Sequence, residues 1–380
     1  MAPGSIVTVR ARLLPLTEVS TVERIWQDLE ERVGAGRLAV SWTWTSTWLR
    51  HFADTVRPRF AVVERRGSPI AAALVVVSLR GPRVSPVRTL HLGTAGEPAG
   101  HTVFVEYNDL LCAPADREPV TASLLEAIRV AGGWDQFCVD GFRPDTTDAM
   151  RAVVPFVVRA EQSWTIRLSV ERSVLEGLKG STRRLVRQAR ESLQPAEPEV
   201  ADGVDAAVDA LAELAELHRR RWNSVGESGA FASPRRSGFL SDIVRAWLPE
   251  GRARLFRLRG PDGTLGCVLG FVEDGRFLYY QGGFRQFEDN RKRTGLLSHV
   301  VFAEDCRRHG LREYELLVGD AQYKRQLSGG EFNSLIWAYY CCPSVRGRVL
   351  TAARALRRAR AEFRARRSAG SLAGPRSSAR

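Results

Sequence analysis

The chain has 380 residues, 44% hydrophobic and 26% charged, which predicts two or three globular domains and excludes a disordered protein. No apolar run reaches the roughly 18 residues of a membrane span, and the opening MAPGSIVTVRARLLPL lacks a signal-peptide core, so a soluble, cytoplasmic protein is expected. The net charge of +13 is concentrated: residues 345–380 carry eleven Arg and one Glu, leaving +3 elsewhere, which argues against a nucleic-acid binder as a whole.

In chain order, STVERIWQDLEERV predicts a helix, with Ser20 and Glu23 as a capping box and Val22, Ile25, Trp26, Leu29 and Val33 on one face. FAVVERR and PIAAALVVVSL around a Gly-Ser turn predict a hairpin. RTLHLG and VEYNDLLC follow, then a helix holding Val120, Leu124, Leu125 and Ile128, and the strand FCVDGF. The second half repeats the plan. A helix over 205–222 sets Leu211, Leu214, His218 and Trp222 on one side, and another near 236–248 buries Phe239, Leu240, Ile243 and Trp247. The hairpin ARLFRLR/TLGCVLGFV, the strand RFLYYQGGF, the loop RQFEDNRKRTG, a helix with Leu296, Leu297 and Val300, and the strand EYELLVG complete it. Two similar α/β domains with a junction near 155–170 are expected. The Arg-rich tail reads as a basic helix with Val349, Ala353, Leu356 and Phe363 on a thin stripe. It is either a solubilising tail or a contact for an acidic surface.

The six cysteines form no Cys-x-x-Cys pair and have no His at zinc spacing, so no metal site is expected. Three lysines stand against 53 arginines, and all three (Lys179, Lys292, Lys324) fall near chemistry-bearing stretches. NRKRTGLL places Arg291, Lys292, Arg293, Thr294 and Gly295 between a strand and a helix start, where backbone N–H groups and cations attract anions; the bland alternative is a solvated basic loop. KGSTRRLVRQARESL reads as a helix capped by Ser181, with Leu185, Ala189 and Leu193 inward and Arg183, Arg187 and Arg190 on an anion-binding or solvated face. RFLYYQGGF ends Tyr279, Tyr280 and Gln281 at Gly282 and Gly283, where a ligand can approach the backbone. His218, alone on its helix, reads as a structural histidine. In GDAQYKRQL, at the carboxyl end of a buried strand, Asp320 could accept a proton, Tyr323 could donate one and Lys324 could hold an anion; singly, each is also an ordinary cap or surface residue.

Taken together, KGSTRRLVRQARESL, LHRRRW…GAFASPRR, the hairpin, RFLYYQGGF and RTGLLSHVVFAEDCRRHGLREYELLVGDAQYKRQL resemble the GNAT-superfamily acyltransferase domain of CelD-like proteins, related to FemAB-type aminoacyltransferases. SWTWTSTWLRHF to YNDLL is similar to their N-terminal domain. The resemblance implies an α/β (α+β) protein of tandem GNAT-like domains, each a mixed, mostly antiparallel sheet flanked by helices. Residues 1–160 would be the degenerate acceptor-side domain, 161–344 the catalytic domain and 345–380 the basic tail.

It implies an N-acyltransferase with no permanently bound cofactor and with acetyl-CoA or acyl-CoA as co-substrate. The donor would lie along a splayed strand at Tyr280, Gln281 and Gly282 and against Arg291, Lys292, Arg293, Thr294, Gly295 and Leu296. Asp320, Tyr323 and Lys324 would be catalytic, and Arg183, Arg187, Trp222 and Tyr279 would contact the acceptor, a small molecule or saccharide. The family's second small residue after Gly295 is replaced by Leu296-Leu297, which keeps an acyl-carrier protein or an aminoacyl-tRNA open as donor. A FemAB-type tRNA-dependent aminoacyltransferase and a non-catalytic binding module in polysaccharide or natural-product biosynthesis are the alternatives.

Overall fold

The computed structural model describes residues 8–34, 37–81 and 84–356. Along the first half, strand β1 (Val9–Leu14) leads through a 3-10 turn to helix α1 (Val19–Val33) and helix α2 (Trp42–Phe52). Then come β2 (Arg57–Arg65), β3 (Ser68–Arg80), β4 (Val87–Leu92), the short β5 (Leu111–Cys112), α3 (Arg117–Ala131), β6 (Gln136–Phe142) and α4 (Pro144–Arg151). The chain continues with β7 (Val157–Arg167), α5 (Val174–Gly177), α6 (Gly180–Ser192), β8 (Glu197–Val200), α7 (Val204–Asn223), α8 (Pro234–Trp247), β9 (Ala253–Gly260), β10 (Gly263–Glu273) and β11 (Arg276–Phe284). It ends with α9 (Thr294–Arg308), β12 (Glu313–Val318), α10 (Gln322–Ser328) and β13 (Phe332–Cys341), after which residues 345–356 are helical.

All strands join one sheet, in the order β1-β2-β3-β4-β6-β13-β7-β12-β11-β10-β9-β8, with β5 paired to β3. Most pairs are antiparallel; β4–β6 and β11–β12 are parallel. The expected junction near 155–170 holds β7, a strand at the centre of the sheet rather than a linker, and residue 160 falls inside it. β13, which the sequence pattern did not reveal, crosses back to lie between β6 and β7, so the two halves share one hydrogen-bonded surface.

The halves also share a core. α2 packs on α8, where Trp44 stacks on Trp247 at 5.7 Å and meets Phe239 edge-on at 4.8 Å. Such aromatic pairs add about 1 kcal/mol each beyond area burial. Asp54 pairs with Arg235 and His51 with Asp242 across the same seam. The buried Glu273 carboxylate accepts the Leu38 N–H at 2.9 Å and pairs with Arg276 and Arg143.

Several local expectations are corrected. The Ser20–Glu23 capping box does not form: a 3-10 turn runs directly into α1, which begins at Val19 with Glu18 as its unbonded cap. Ser181 lies inside α6, whose cap position is Lys179, and the buried face carries Thr182, Val186 and Ala189, with Leu185 half-buried against the same core. VEYNDLLC is irregular except for a single bridge from Asn108 to Phe142 and its last two residues, because the Asn108 and Asp109 side chains each accept the next residue's N–H. The helical part of the tail docks through Arg354, which lies 4.1 Å over the Tyr339 ring and donates to Gln136 at 2.7 Å, while Val349 and Leu356 stay exposed. The rest of the tail, including Phe363, lies outside the described residues. Among the described residues no helix is long and apolar enough to cross a membrane.

Candidate functional site

The site begins where two parallel strands part. β11 and β12 pair only from Arg276 to Leu278 against Glu313 to Glu315. Beyond that point β12 follows β7, with a bulge before Leu317, and β11 follows β10. A second bulge makes Tyr280 the extra residue of β11, since Gly270 faces Tyr279 and Leu269 faces Gln281. Past Leu278, then, β11 has no strand on its β12 side, and the backbone groups aimed that way face a gap. The gap is a cavity of about 850 Å³.

Two glycines shape its wall. A Cβ on Gly283 would lie 2.5 Å from the Leu214 carbonyl of α7, and one on Gly282 would lie 2.6 Å from the Tyr279 hydroxyl. β11 therefore lies closer to its neighbours there than any side chain permits.

The β11 arm leads to the start of α9. Thr294 is buried and its hydroxyl donates to Arg285 O at 2.7 Å, clasping the loop to the helix. Lys292, Arg293, Thr294, Gly295 and Leu296 all line the cavity, with Arg221 and Arg285 beside them. First-turn N–H groups and several cations at one place form an anion-attracting surface. Arg291 is not part of it; its guanidinium turns back to Asp289 at 2.9 Å and the cavity does not include it.

The β12 arm answers the question posed by GDAQYKRQL. Tyr323 and Lys324 line the cavity, whereas Asp320 points out, with an 86% exposed side chain paired to Arg325. Nor is Asp320 the helix cap, a position taken by Ala321. Gly319, at φ 142°, places its Cα where a Cβ would lie 3.0 Å from Lys324 Nζ, so the lysine folds back over the strand end. Its ammonium donates to Leu317 O at 3.2 Å and Val318 O at 2.7 Å. Leu317 has a left-handed φ of 60°, an unfavourable state for a branched residue, and these bonds hold it.

Facing them is Glu106, from the first half of the chain. Its Oε2 accepts the Val318 N–H at 2.9 Å, and its other oxygen has no partner among the described residues. Burial raises Glu106 to about 7, against the opposing pull of the Val318 N–H and the Lys324 charge. Burial lowers Lys324 to about 8, with Glu106 and Glu315 pulling it back up. Below them Glu315, fully buried, accepts from Ser163 at 2.8 Å and from Thr165 and Asn333 at 2.5 Å.

Aromatic groups bridge the arms. His299 of α9 stacks on Tyr323 at 5.2 Å and meets Tyr279 edge-on at 4.7 Å. Its Nδ1 bonds the Tyr314 hydroxyl at 3.0 Å, and its Nε2 is buried without a partner. Burial, with Lys324 nearby, pushes it down to about 3, so the ring is neutral at physiological pH. Burial raises the Tyr323 hydroxyl to about 12, so it remains protonated and able to donate. His218 and Trp222 also line the cavity; His218, between Trp222 and Phe231, is pushed down to about 4 by burial and then by Arg236.

Of the residues expected at the site, the structure brings together Trp222, Tyr279, Tyr280, Gln281, Gly282, Lys292, Arg293, Thr294, Gly295, Leu296, Tyr323 and Lys324. It leaves out Arg291, Asp320, Arg183 and Arg187. Arg183 closes the turn before α6 by donating to Glu176 O and Leu178 O, and Arg187 is exposed on a helix that packs against α9 from outside. Glu106 and His299 were missed. Glu106 lies some two hundred residues before its partners in an irregular segment, and His299 sits within the apolar face of α9; neither carries a motif. Among the described residues no three His, Cys, Asp or Glu side chains gather as a metal site would require.

Comparison with known proteins agrees with this geometry. A family model for the acetyltransferase (GNAT) domain matches residues 180–325. By sequence, no curated protein matches. Among solved structures the chain is similar to FemX, with a TM-score of 0.55 at 12% identity over 84% of this chain and 95% of that one. It is similar to the C-terminal domain of a putative lysylphosphatidylglycerol synthetase from Agrobacterium fabrum, with a TM-score of 0.53 at 12% identity over 87% and 96%. L-PGS from Bacillus licheniformis gives 0.52 at 8% identity over 88% and 96%. These likenesses show a shared fold. Residues 180–325 thus match the acetyltransferase (GNAT) domain, and the chain as a whole shares the fold of FemX.

Proposed function

We propose that the chain transfers an acyl group from a phosphorylated thioester carrier, an acyl-CoA, to the nitrogen of a small-molecule amine by direct attack. The observation that carries this reading is the parting of β11 from β12 into a cavity with cations and a helix start on one arm and Glu106 on the other. The donor's pyrophosphate would lie against Lys292, Arg293 and the first turn of α9. Its thioester carbonyl would face the free backbone N–H groups of β11 beyond Leu278, which stabilise the oxyanion as it forms.

The amine nitrogen attacks the carbonyl carbon, and Glu106 takes the proton the ammonium must lose. Its raised carboxyl stands near neutrality, where a base is most effective. The carbon–sulfur bond then breaks, and Tyr323 gives the departing thiolate its proton. Lys324 holds the strand end that carries Glu106's partner, and so positions the base. In this reading the first half of the chain supplies the acceptor side and the second half the donor side. Calorimetric titration with CoA and acetyl-CoA, followed by thiol release on adding amines, tests it; no CoA binding would refute the donor assignment.

A second reading, an aminoacyl-tRNA donor, is favoured by one observation. Arg184, Arg187 and Arg190 of α6 are exposed and make no ion pair among the described residues. A salt-sensitive tRNA gel shift, lost when these arginines are replaced by Glu, would support it; absence of a shift at low salt would remove it.

A further inference from the structure

Arg236, in the first turn of α8, is 4% exposed. Its backbone N–H is satisfied by the Ser233 hydroxyl at 3.2 Å, but its side chain is not comparably served. Nε and Nη2 are buried without a hydrogen-bond partner, and no carboxylate forms an ion pair with the guanidinium among the described residues. The group stands 5.2 Å over the Phe104 ring. The Tyr280 hydroxyl, buried beside it with no other side-chain partner, feels this guanidinium through charge and hydrogen bonding, and His218 feels its charge. Phe104, Tyr280 and His218 line the cavity, and Arg236 stands directly behind them, outside its lining. A buried cation with no counter-ion is a costly feature.

We propose that Arg236, with the Tyr280 hydroxyl, binds a carboxylate of the acyl acceptor, so that the acceptor is an amino acid or another small amine bearing a carboxylate. This rests on the reading of the cavity as the acyl-transfer site and names its substrate class. The planar guanidinium fork matches a carboxylate bidentately, and Nε and Nη2 are the two nitrogens such a fork uses. Phe104 and Glu106 are two residues apart, so their Cα atoms lie within about 7 Å. A carboxylate held at Arg236 beside Phe104 therefore places an amine on the same small molecule within reach of Glu106. Arg236 binds and orients; the proton goes to Glu106.

The test uses the full chain and matched probes: glycine, β-alanine and γ-aminobutyrate against methylamine, ethylamine and propylamine, which lack only the carboxylate. Thermal unfolding is followed in wild type, Arg236→Met and Arg236→Lys. At least one of the acids should raise the wild-type Tm while its matched amine does not, and Arg236→Met should lose that shift. Without ligand, Arg236→Met should melt no lower than wild type, because an unpaired buried charge has been removed. Arg236→Lys, which keeps a cation but not the fork, should retain a reduced shift. Where transfer is observed, the acid should exceed its matched amine in kcat/KM by about tenfold, the worth of one charge-assisted pair.

Equal shifts for acids and amines, no shift with any acid, or a Tm several degrees lower for ligand-free Arg236→Met would each overturn the assignment. CoA titrated calorimetrically into the same proteins separates the two readings. Binding by wild type and Arg236→Met leaves the donor assignment standing whatever the amino acids do. Its absence removes that assignment while the thermal shifts still decide the carboxylate subsite.

Discussion

Glu106 and Lys324 hold the same residue from two sides: Glu106 accepts the Val318 N–H at 2.9 Å, and Lys324 donates to the Val318 carbonyl at 2.7 Å. One half of the chain thus places its carboxylate at the point where two strands of the other half separate. If Glu106 is the base, transfer should rise with pH as its carboxyl ionises, near 7. Glu106→Gln should lower kcat by about 10²–10⁴-fold, the usual worth of a positioned base, and abolish that rising limb. A pH–rate profile of wild type and variant checks both. A retained limb would assign it to another group.

Lys324 and Asp320 should separate cleanly. Lys324 secures the left-handed Leu317 through two carbonyls, so Lys324→Met should lower kcat, weaken donor binding and reduce stability together. Asp320 is exposed and paired only with Arg325. Asp320→Asn should keep kcat/KM within about threefold of wild type, below about 1 kcal/mol of barrier. Steady-state rates and donor titrations on the two variants decide the matter; a larger loss in Asp320→Asn would put that residue back in the site.

This contrast also marks how far the sequence could be read. Tyr279 to Gly282 and Lys292 to Leu296 were legible because a strand ending in glycines and a cation-rich helix start have local signatures. Tyr323 and Lys324 were legible as neighbours, but not the backbone path through Gly319, at φ 142°, along which Lys324 turns inward and Asp320 outward. Arg291 and Lys292 look alike in sequence, and the nearby Asp289 takes one of them. Glu106, β13 and the central position of β7 depend on long-range pairing, which periodicity does not encode. Arg183 and Arg187 followed helical spacing correctly onto one face, but the face looks away from the cavity.

Lys292→Ala and Arg293→Ala should each weaken CoA binding by about tenfold, one charge-assisted contact apiece. Arg291→Ala should leave affinity unchanged, because its guanidinium is committed to Asp289 outside the cavity. Calorimetric Kd values for the three variants are the check. A loss at Arg291 equal to the others would mean that the loop rearranges on binding.

The glycine pair offers a test of the wall itself. In Gly283→Ala the new Cβ meets backbone, the Leu214 carbonyl at 2.5 Å, and α7 must shift. The cost should be roughly 1–3 kcal/mol of stability by denaturant titration. In Gly282→Ala the new atom meets the far ends of two side chains, the Tyr279 hydroxyl at 2.6 Å and the Phe284 ring at 2.9 Å. Stability should change little while transfer falls, since Tyr279 is pushed within the cavity. Equal stability losses in both variants would show that Tyr279 is locked in place.

A buried carboxyl outside the cavity lining, whose charge reaches Tyr280, makes a final prediction about pH and folding. Glu97 is 1% exposed and accepts from Trp48 Nε1 at 2.5 Å; burial raises it to about 7 from an ordinary value of 4.5. Between those values the folded chain binds the proton and the unfolded chain does not, so this residue makes stability fall as pH rises from about 4.5 to 7. Above 7 both forms are ionised and the full penalty, about 3 kcal/mol, is present; below 4.5 it vanishes. Glu97→Gln imitates the protonated group and keeps an acceptor for Trp48. It should therefore exceed wild type in stability at pH 8 and match it at pH 4. Urea titrations of both proteins across this range provide the measurement, and a pH-independent difference would show that Glu97 ionises in the fold no later than in the unfolded chain.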